Sequence, residues 1–208
     1  MEEDFPAAEA LPGVGKEVKK MKKIWIILIV IVVVILGFVG WFIKGLNTVV
    51  LLDENVNQSW AQVENQLQRR NDLIPNLVDT VKGYMTHEKE TFTKITELRS
   101  QWAKAQTTEQ KITAANQITG ALSRLLLTVE NYPQLKAGQN FLALQSQLEG
   151  TENRIAVERM RYNRAVQAFN SYRRTVFGGF FAGMRGLTKP RVYFEVEEKA
   201  KEVPKVEF

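Results

Sequence analysis

The sequence predicts an all-α protein in which a single N-terminal transmembrane helix leads into an elongated antiparallel four-helix bundle. Three observations carry that prediction. Positions Ile24 to Ile43 are twenty consecutive uncharged residues; two long and two short stretches follow in which apolar residues recur every three or four positions; and no stretch before residue 190 alternates as a strand would.

The apolar run comes first. At about 1.5 Å of rise per residue, twenty helical residues reach roughly 30 Å, the thickness of a bilayer's hydrocarbon core, with every backbone hydrogen bond made internally. Lys22 and Lys23 close the run on one side and Lys44 on the other, and Trp25 and Trp41 lie near its two ends, where amphipathic rings prefer the membrane interface. A cleavable signal peptide has a shorter apolar region ending in a small-residue cleavage site, whereas this run closes on Gly37, Phe38, Val39, Gly40, Trp41 and Phe42. Lys16, Lys19, Lys20, Lys22 and Lys23 precede the span and only Lys44 follows it closely, so the positive-inside asymmetry predicts a single-pass cell-membrane protein with a cytoplasmic N-terminus and an extracytoplasmic bundle.

Residues 1–23 carry five Lys against five Asp or Glu with Pro6, Pro12, Gly13 and Gly15 interspersed, the composition of a short disordered tail. Met21 followed by Lys22 and Lys23 would itself make an ordinary start for an anchored protein. Residues 44–208 hold 23 Lys plus Arg and 18 Asp plus Glu, a surplus of five positive charges over a length suited to one domain. The basic residues are interleaved with acids, which argues against nucleic acid as a partner. The chain has no cysteine, which fits an oxidising exterior and any other compartment equally.

Residues 44–176 are expected to form the bundle. From Asn47 to Met85 the apolar positions Val49, Leu52, Val56, Trp60, Val63, Leu67, Ile74, Leu77, Val81 and Tyr84 step by three and four with one gap of seven. Two shorter helices follow, about Glu88 to Gln106 and about Glu109 to Glu130, with Thr86 and Thr108 as candidate N-caps. Asn131, Tyr132 and Pro133 stop the third helix. The fourth pattern runs through Phe141, Leu144, Leu148, Ile155, Tyr162, Ala165, Phe169, Tyr172 and Val176, with Thr151 and Glu158 as its only polar members. Two helices of roughly 60 Å and two of roughly 30 Å close as an up, half down, half up, down path that brings both ends of the long hairpin to the bilayer.

The odd passage in the first long helix is Arg69, Arg70, Asn71, Asp72, Leu73, Ile74, Pro75, Asn76. A helix-interior proline removes one backbone hydrogen bond and kinks the axis. Arg70 stands 23 positions beyond Asn47 and Glu152 stands 23 positions before Thr175, so the two share a height in the bundle. The spacing predicts a polar layer in which Arg69 or Arg70 pairs with Glu149 or Glu152, while Asp72 or Asn76 satisfies the carbonyl freed by Pro75. A ligand-binding site is the competing reading of the same residues.

Residues 177–189 break the last helix with Gly178, Gly179, Gly183 and Gly186 and are apolar and basic at once. Phe177, Phe180, Phe181 and Met184, with Arg173 and Arg174 beside them, read either as an interfacial foot on lipid or as a loop capping the bundle's end. Residues 190–208 form a nearly charge-balanced, flexible tail in which disorder or a short docked strand is expected. Val206 and Phe208 beside a free carboxylate match what a strand-adding domain captures, which makes a membrane protease carrying such a domain a candidate partner.

Taken in order, residues 69–83, Tyr84 with His87, Glu88 and Lys89, Tyr132 with Pro133, Leu135, Lys136 and Ala137, residues 148–155, and Tyr162 with Asn163 resemble the LemA family in sequence and spacing from the lysines before the span to Phe208. The resemblance implies a membrane-anchored helical bundle with no established activity. Many members are described with the bundle on the cytoplasmic side, against the lysine asymmetry here. The chain departs from the family where Val176, Phe177 and Gly178 replace a common Phe-Pro pair.

His87 is the only histidine and there is no cysteine, so neither a zinc site nor a histidine-assisted nucleophile can be assembled, and Gly13, Gly15, Lys16 lacks the spacing of a phosphate loop. The expectation is a protein that is not an enzyme and takes no cofactor. A cell-envelope scaffold or adaptor is the favoured function and a membrane-anchored ligand-sensing bundle the alternative; a sensor needs a cytoplasmic output, for which 23 residues are a poor candidate. The expected partners are the lipid bilayer and envelope or membrane proteins, with a homo-oligomer also compatible.

Overall fold

The structure, a computed structural model, describes residues 14–85 and 88–195. Among them it contains six helices and no strand: α1 Val14–Lys82, α2 Lys89–Lys104, α3 Thr108–Val129, α4 Pro133–Lys136, α5 Gln139–Arg174 and α6 Val176–Met184. The chain divides into two compact units, the first ending at Thr48 and the second beginning at Val49.

In the first unit the apolar part of α1 is long and apolar enough to cross a membrane, and none of its most apolar stretch is buried. Trp25 is 65% exposed and Leu36 65%. A core helix of this composition would hide such side chains within the protein.

The second unit is an all-α bundle of α1 from Val49 onward, α2, α3 and α5. Its core takes Val49, Val56, Val63, Leu67, Ile74, Leu77 and Val81 from α1 and Phe92, Ile95, Leu98 and Trp102 from α2. Ile112, Ala115, Ile118, Leu122 and Leu125 come from α3, and Phe141, Leu148, Thr151, Ile155, Tyr162, Val166 and Phe169 from α5. Cross-helix contacts set the directions. Trp60 meets Tyr162 and Arg70 meets Glu152, so α1 and α5 run antiparallel; Glu64 meets Lys111 and Arg70 meets Thr119, so α1 and α3 run parallel. Of the apolar positions inferred from the three-and-four rule, Leu52, Trp60, Leu144, Ala165 and Tyr172 are half-buried and two are exposed: Tyr84 is half exposed past the end of α1, and Val176 is 85% exposed.

The connections differ in detail from the sequence reading. The cap of α3 is Thr107, not Thr108: its side chain accepts from the Gln110 amide at 3.2 Å while Gln110 Oε1 accepts from the Thr107 amide at 3.3 Å, a complete capping box. Thr108 is instead the first helical residue. For α2 the cap position is Glu88, which makes no side-chain cap bond; Thr86 and His87 lie outside the described residues.

The glycine-bearing segment is neither a break nor a loop. The break falls at Thr175, whose extended backbone (φ −74°, ψ 158°) ends α5 and whose Oγ1 accepts from the Gly178 amide at 3.0 Å to start α6. Glycine is needed at 178 for space, since a Cβ there would stand 2.0 Å from the Tyr172 carbonyl oxygen. α6 ends with Gly186 at φ +71°, where the Leu187 amide turns back to the Ala182 carbonyl.

Residues 190–195, for which the sequence leaves disorder or a short docked strand open, are held along α5 as an extended strap. Asn170 exchanges two hydrogen bonds with the Arg191 backbone, Asn163 does the same with Phe194, and the Tyr162 hydroxyl donates to the Val192 carbonyl at 2.7 Å. The short α2–α3 hairpin does not extend along the full α1–α5 pair, and the strap passes below its turn, where Thr107 and Thr108 line a cleft with Asp53, Phe169 and Pro190.

Candidate functional site

The gap of seven between Leu67 and Ile74 is where the core turns polar. Arg70 and Asn71 occupy it, only 1% and 2% exposed. The Arg70 guanidinium reaches across the bundle: Nη1 donates to Thr119 Oγ1 at 2.7 Å and to Glu152 Oε1 at 2.8 Å, and Nη2 donates to the Ala115 carbonyl at 3.0 Å. One arginine therefore ties α1, α3 and α5 together. A fixed guanidinium fork suits this task better than a lysine, because its donors point at several acceptors at once.

Pro75 leaves the Asn71 carbonyl without its helical donor. The expected donors, Asp72 and Asn76, do not supply one. Asp72 is exposed and accepts from Gln68, Asn76 is exposed too, and the freed carbonyl is taken by Arg99 Nε of α2 at 3.1 Å. Arginine does this well because it is a donor-only side chain long enough to cross between helices, whereas an ionised aspartate donates nothing. The proline defect thus becomes the point where α2 is pinned to α1.

Of the alternatives offered by the sequence, Arg70 and Glu152 come together, while Arg69 and Glu149 are exposed, Glu149 accepting from Gln145. Arg159, seven residues and about two turns along α5 from Glu152, feels the layer. Burial lowers its pKa below the ordinary value, Glu152 opposes that and Arg70 adds to it. The side-chain amide of Asn71 is buried with neither its oxygen nor its nitrogen bonded among the described residues. Such a layer is costly to break from one side and fixes which helix faces meet. Almost nothing of the guanidinium faces solvent, and its hydrogen bonds clamp three helices together.

The strap builds a second cluster that sequence reasoning missed. Arg191 donates from Nε and Nη2 to Asp53 Oδ1 at 2.9 and 2.6 Å. Phe194, 2% exposed, lies 6.4 Å from the Trp60 ring and under the Arg159 guanidinium at 4.5 Å. The available signal was the weak alternation of Val192, Phe194 and Val196, together with Tyr162 and Asn163 side by side on α5; both now have strap carbonyls as partners. Burial pushes the Tyr162 phenol up to about 12, with Arg191 opposing.

Of the proposed interface residues, Trp25, Trp41, Phe177, Phe180 and Met184 are exposed and Arg174 is too, but Phe181 is not. It is 2% exposed, packed edge-on to Phe180 on the inner side of α6. Arg173 is half-buried because its Nη1 donates to the Thr188 carbonyl at 2.7 Å. Val206 and Phe208 lie outside the described residues. No group of three or more His, Cys, Asp or Glu placed to hold a metal occurs among the described residues.

Comparison with known proteins places these features. The model of the LemA family matches residues 59–208, which include the Arg70 layer, the Pro75 defect and the strap. The chain is 26% identical over 129 residues to Protein LemA of Metamycoplasma hominis, covering 61% of this chain and 59% of that protein. It is 23% identical over 161 residues to the magnetosome proteins MamQ 1 and MamQ 2 of Paramagnetospirillum magneticum, covering 65% of this chain and 59% of each. In every case the matched part is about three-fifths of the relative's length. None of these names denotes a reaction.

Proposed function

Because the chain belongs to the LemA family, we propose that it is a non-catalytic scaffold or adaptor of the cell envelope, anchored in the cell membrane through residues 24–43 and presenting its bundle to partner proteins. The observation that carries this reading is α1 itself. One continuous helix, Val14–Lys82, bears both a stretch able to cross a bilayer and the first wall of the bundle. The bundle's charged core supports the same view, since Arg70 and Glu152 are spent on holding helices together and Arg70 is only 1% exposed.

The lysine asymmetry supports a cytoplasmic N-terminus and an outward bundle. Val206 and Phe208 are the residues a strand-adding domain of a membrane protease would take. The test has two readouts on the full chain. A reporter active only outside the cytoplasm, fused after Phe208, should give signal and a cytoplasm-only reporter none. Purification in mild detergent should return a specific membrane protein that is lost when the last three residues are removed. The reverse reporter pattern overturns the orientation, and recovery of the chain alone, with or without its last residues, overturns the adaptor role.

A further inference from the structure

From Arg159 to Phe194 the chain carries eight basic side chains and no Asp or Glu, although acids make up 23 of its 208 residues. In the middle of that stretch lies α6. Its inner side, Gly178, Phe181 and Ala182, is buried on the bundle. Its other side is apolar and largely solvent-exposed: Val176 is 85% exposed, Phe177 62%, Phe180 55% and Met184 55%. At 3.6 residues per turn these four fall within an arc of about 100°, so they form one face rather than scattered positions. Arg174 precedes that face and Arg185 and Lys189 follow it, all exposed.

The geometry points to α6 as a second membrane contact: a short helix that lays its Val176, Phe177, Phe180 and Met184 face into an anionic lipid surface while Arg174, Arg185 and Lys189 engage the headgroups. This rests on the membrane-anchored reading above. Lipid fits the face better than protein does for two reasons. The exposed apolar area is on the order of 500 Å², short of the roughly 800 Å² per partner of a specific protein interface. It is also bordered by cations that lie in a 36-residue stretch of sequence without Asp or Glu, the Asp53 carboxylate nearby being taken by Arg191, and a zwitterionic or cationic surface would not repay these cations but an anionic leaflet does. An interfacial helix buries aromatic side chains only about 5 to 10 Å deep and lets arginine stems reach outward, as this arrangement permits.

The absence of cysteine makes the test direct. Full-length chain with Met184→Cys, labelled with an environment-sensitive dye, is reconstituted into phosphatidylcholine vesicles with or without phosphatidylglycerol, and quenching by lipid carrying a spin label high on its acyl chain is measured. Leu127→Cys, on an exposed α3 position, is the reference. The dye at 184 should be quenched far more than at 127, more strongly in anionic vesicles, and Arg174→Gln and Arg185→Gln should each weaken the docked population about fivefold. Phe180→Ser should reduce quenching in both lipids.

Equal quenching at 184 and 127 overturns the proposal. Energy transfer between donor- and acceptor-labelled copies at 184, without lipid quenching, overturns it in favour of a second copy of the chain on this face. Failure of the chain to float with vesicles is a different outcome, which sinks the anchoring reading as well.

Discussion

The Arg70 clamp predicts a strong and non-additive response to mutation. Arg70 is 1% exposed and its carboxylate partner 37%, so the pair is buried on one side and wet on the other. Breaking a fully buried pair from one side costs on the order of 3 to 5 kcal/mol; with Glu152 partly solvated, the cost of Glu152→Ala falls to about 2 kcal/mol, because Arg70 keeps Thr119 and the Ala115 carbonyl. Arg70→Ala loses all three hydrogen bonds and leaves the volume of the stem unfilled, for about 3 to 4 kcal/mol. Once Arg70 is absent, Glu152 can rehydrate and its removal costs little. The double variant should therefore fall short of the sum of the singles by about 1 to 2 kcal/mol. Glu152→Gln, which keeps an acceptor, should lie between wild type and Glu152→Ala. The assay is denaturant unfolding of the full chain in detergent micelles, followed by far-UV circular dichroism and analysed as a double-mutant cycle. Additive effects of less than about 0.5 kcal/mol each would refute the clamp, since side chains sharing a buried hydrogen bond cannot act independently.

Two further perturbations probe the C-terminal elements. Gly178→Ala drives a methyl into the Tyr172 carbonyl and Thr175 Oγ1 and should cost on the order of 1 to 3 kcal/mol, whereas Gly183→Ala, with nothing within 4 Å, should be neutral or stabilising by up to about 1 kcal/mol; equal effects in thermal unfolding would show that the α5–α6 junction is not tight. Folding holds the Tyr162 proton to about 12, above the roughly 10 of an unfolded tyrosine, so its contribution is complete below about pH 10 and is lost as pH rises toward 12. Tyr162→Phe should flatten that alkaline fall in stability and, by deleting the bond to Val192, raise hydrogen exchange in residues 190–195; an unchanged pH profile would remove Tyr162 as its source.

Helix content and helix faces were legible in the chain because they are local. A three-and-four spacing of Val56, Val63 and Leu67, or of Leu148, Ile155 and Tyr162, shows up within a few turns of sequence and leads directly to a buried stripe. The shared height of Arg70 and Glu152 was legible too, because counting residues from a common end measures distance along straight antiparallel helices. Counting could not choose between Arg69 and Arg70 or between Glu149 and Glu152. Neighbours on a helix point about 100° apart, and small rotations of the helix decide which of them faces inward.

The amino-acid sequence thus determined the class of the protein: an apolar stretch long enough to cross a bilayer, followed by four amphipathic helices whose lengths close as a bundle. The tertiary structure alone decided which groups complete it. Arg99 takes the carbonyl freed by Pro75 from a different helix, 28 residues away in sequence, and Arg191 reaches Asp53 across 138 residues. Residues 176–184 became a helix because the Thr175 cap and the space at Gly178 let them, and residues 190–195 found a place because a short hairpin left part of a long one to be covered. These outcomes depend on which surfaces remain unfilled after the helices pack, a property of the assembled molecule that no spacing along the chain records.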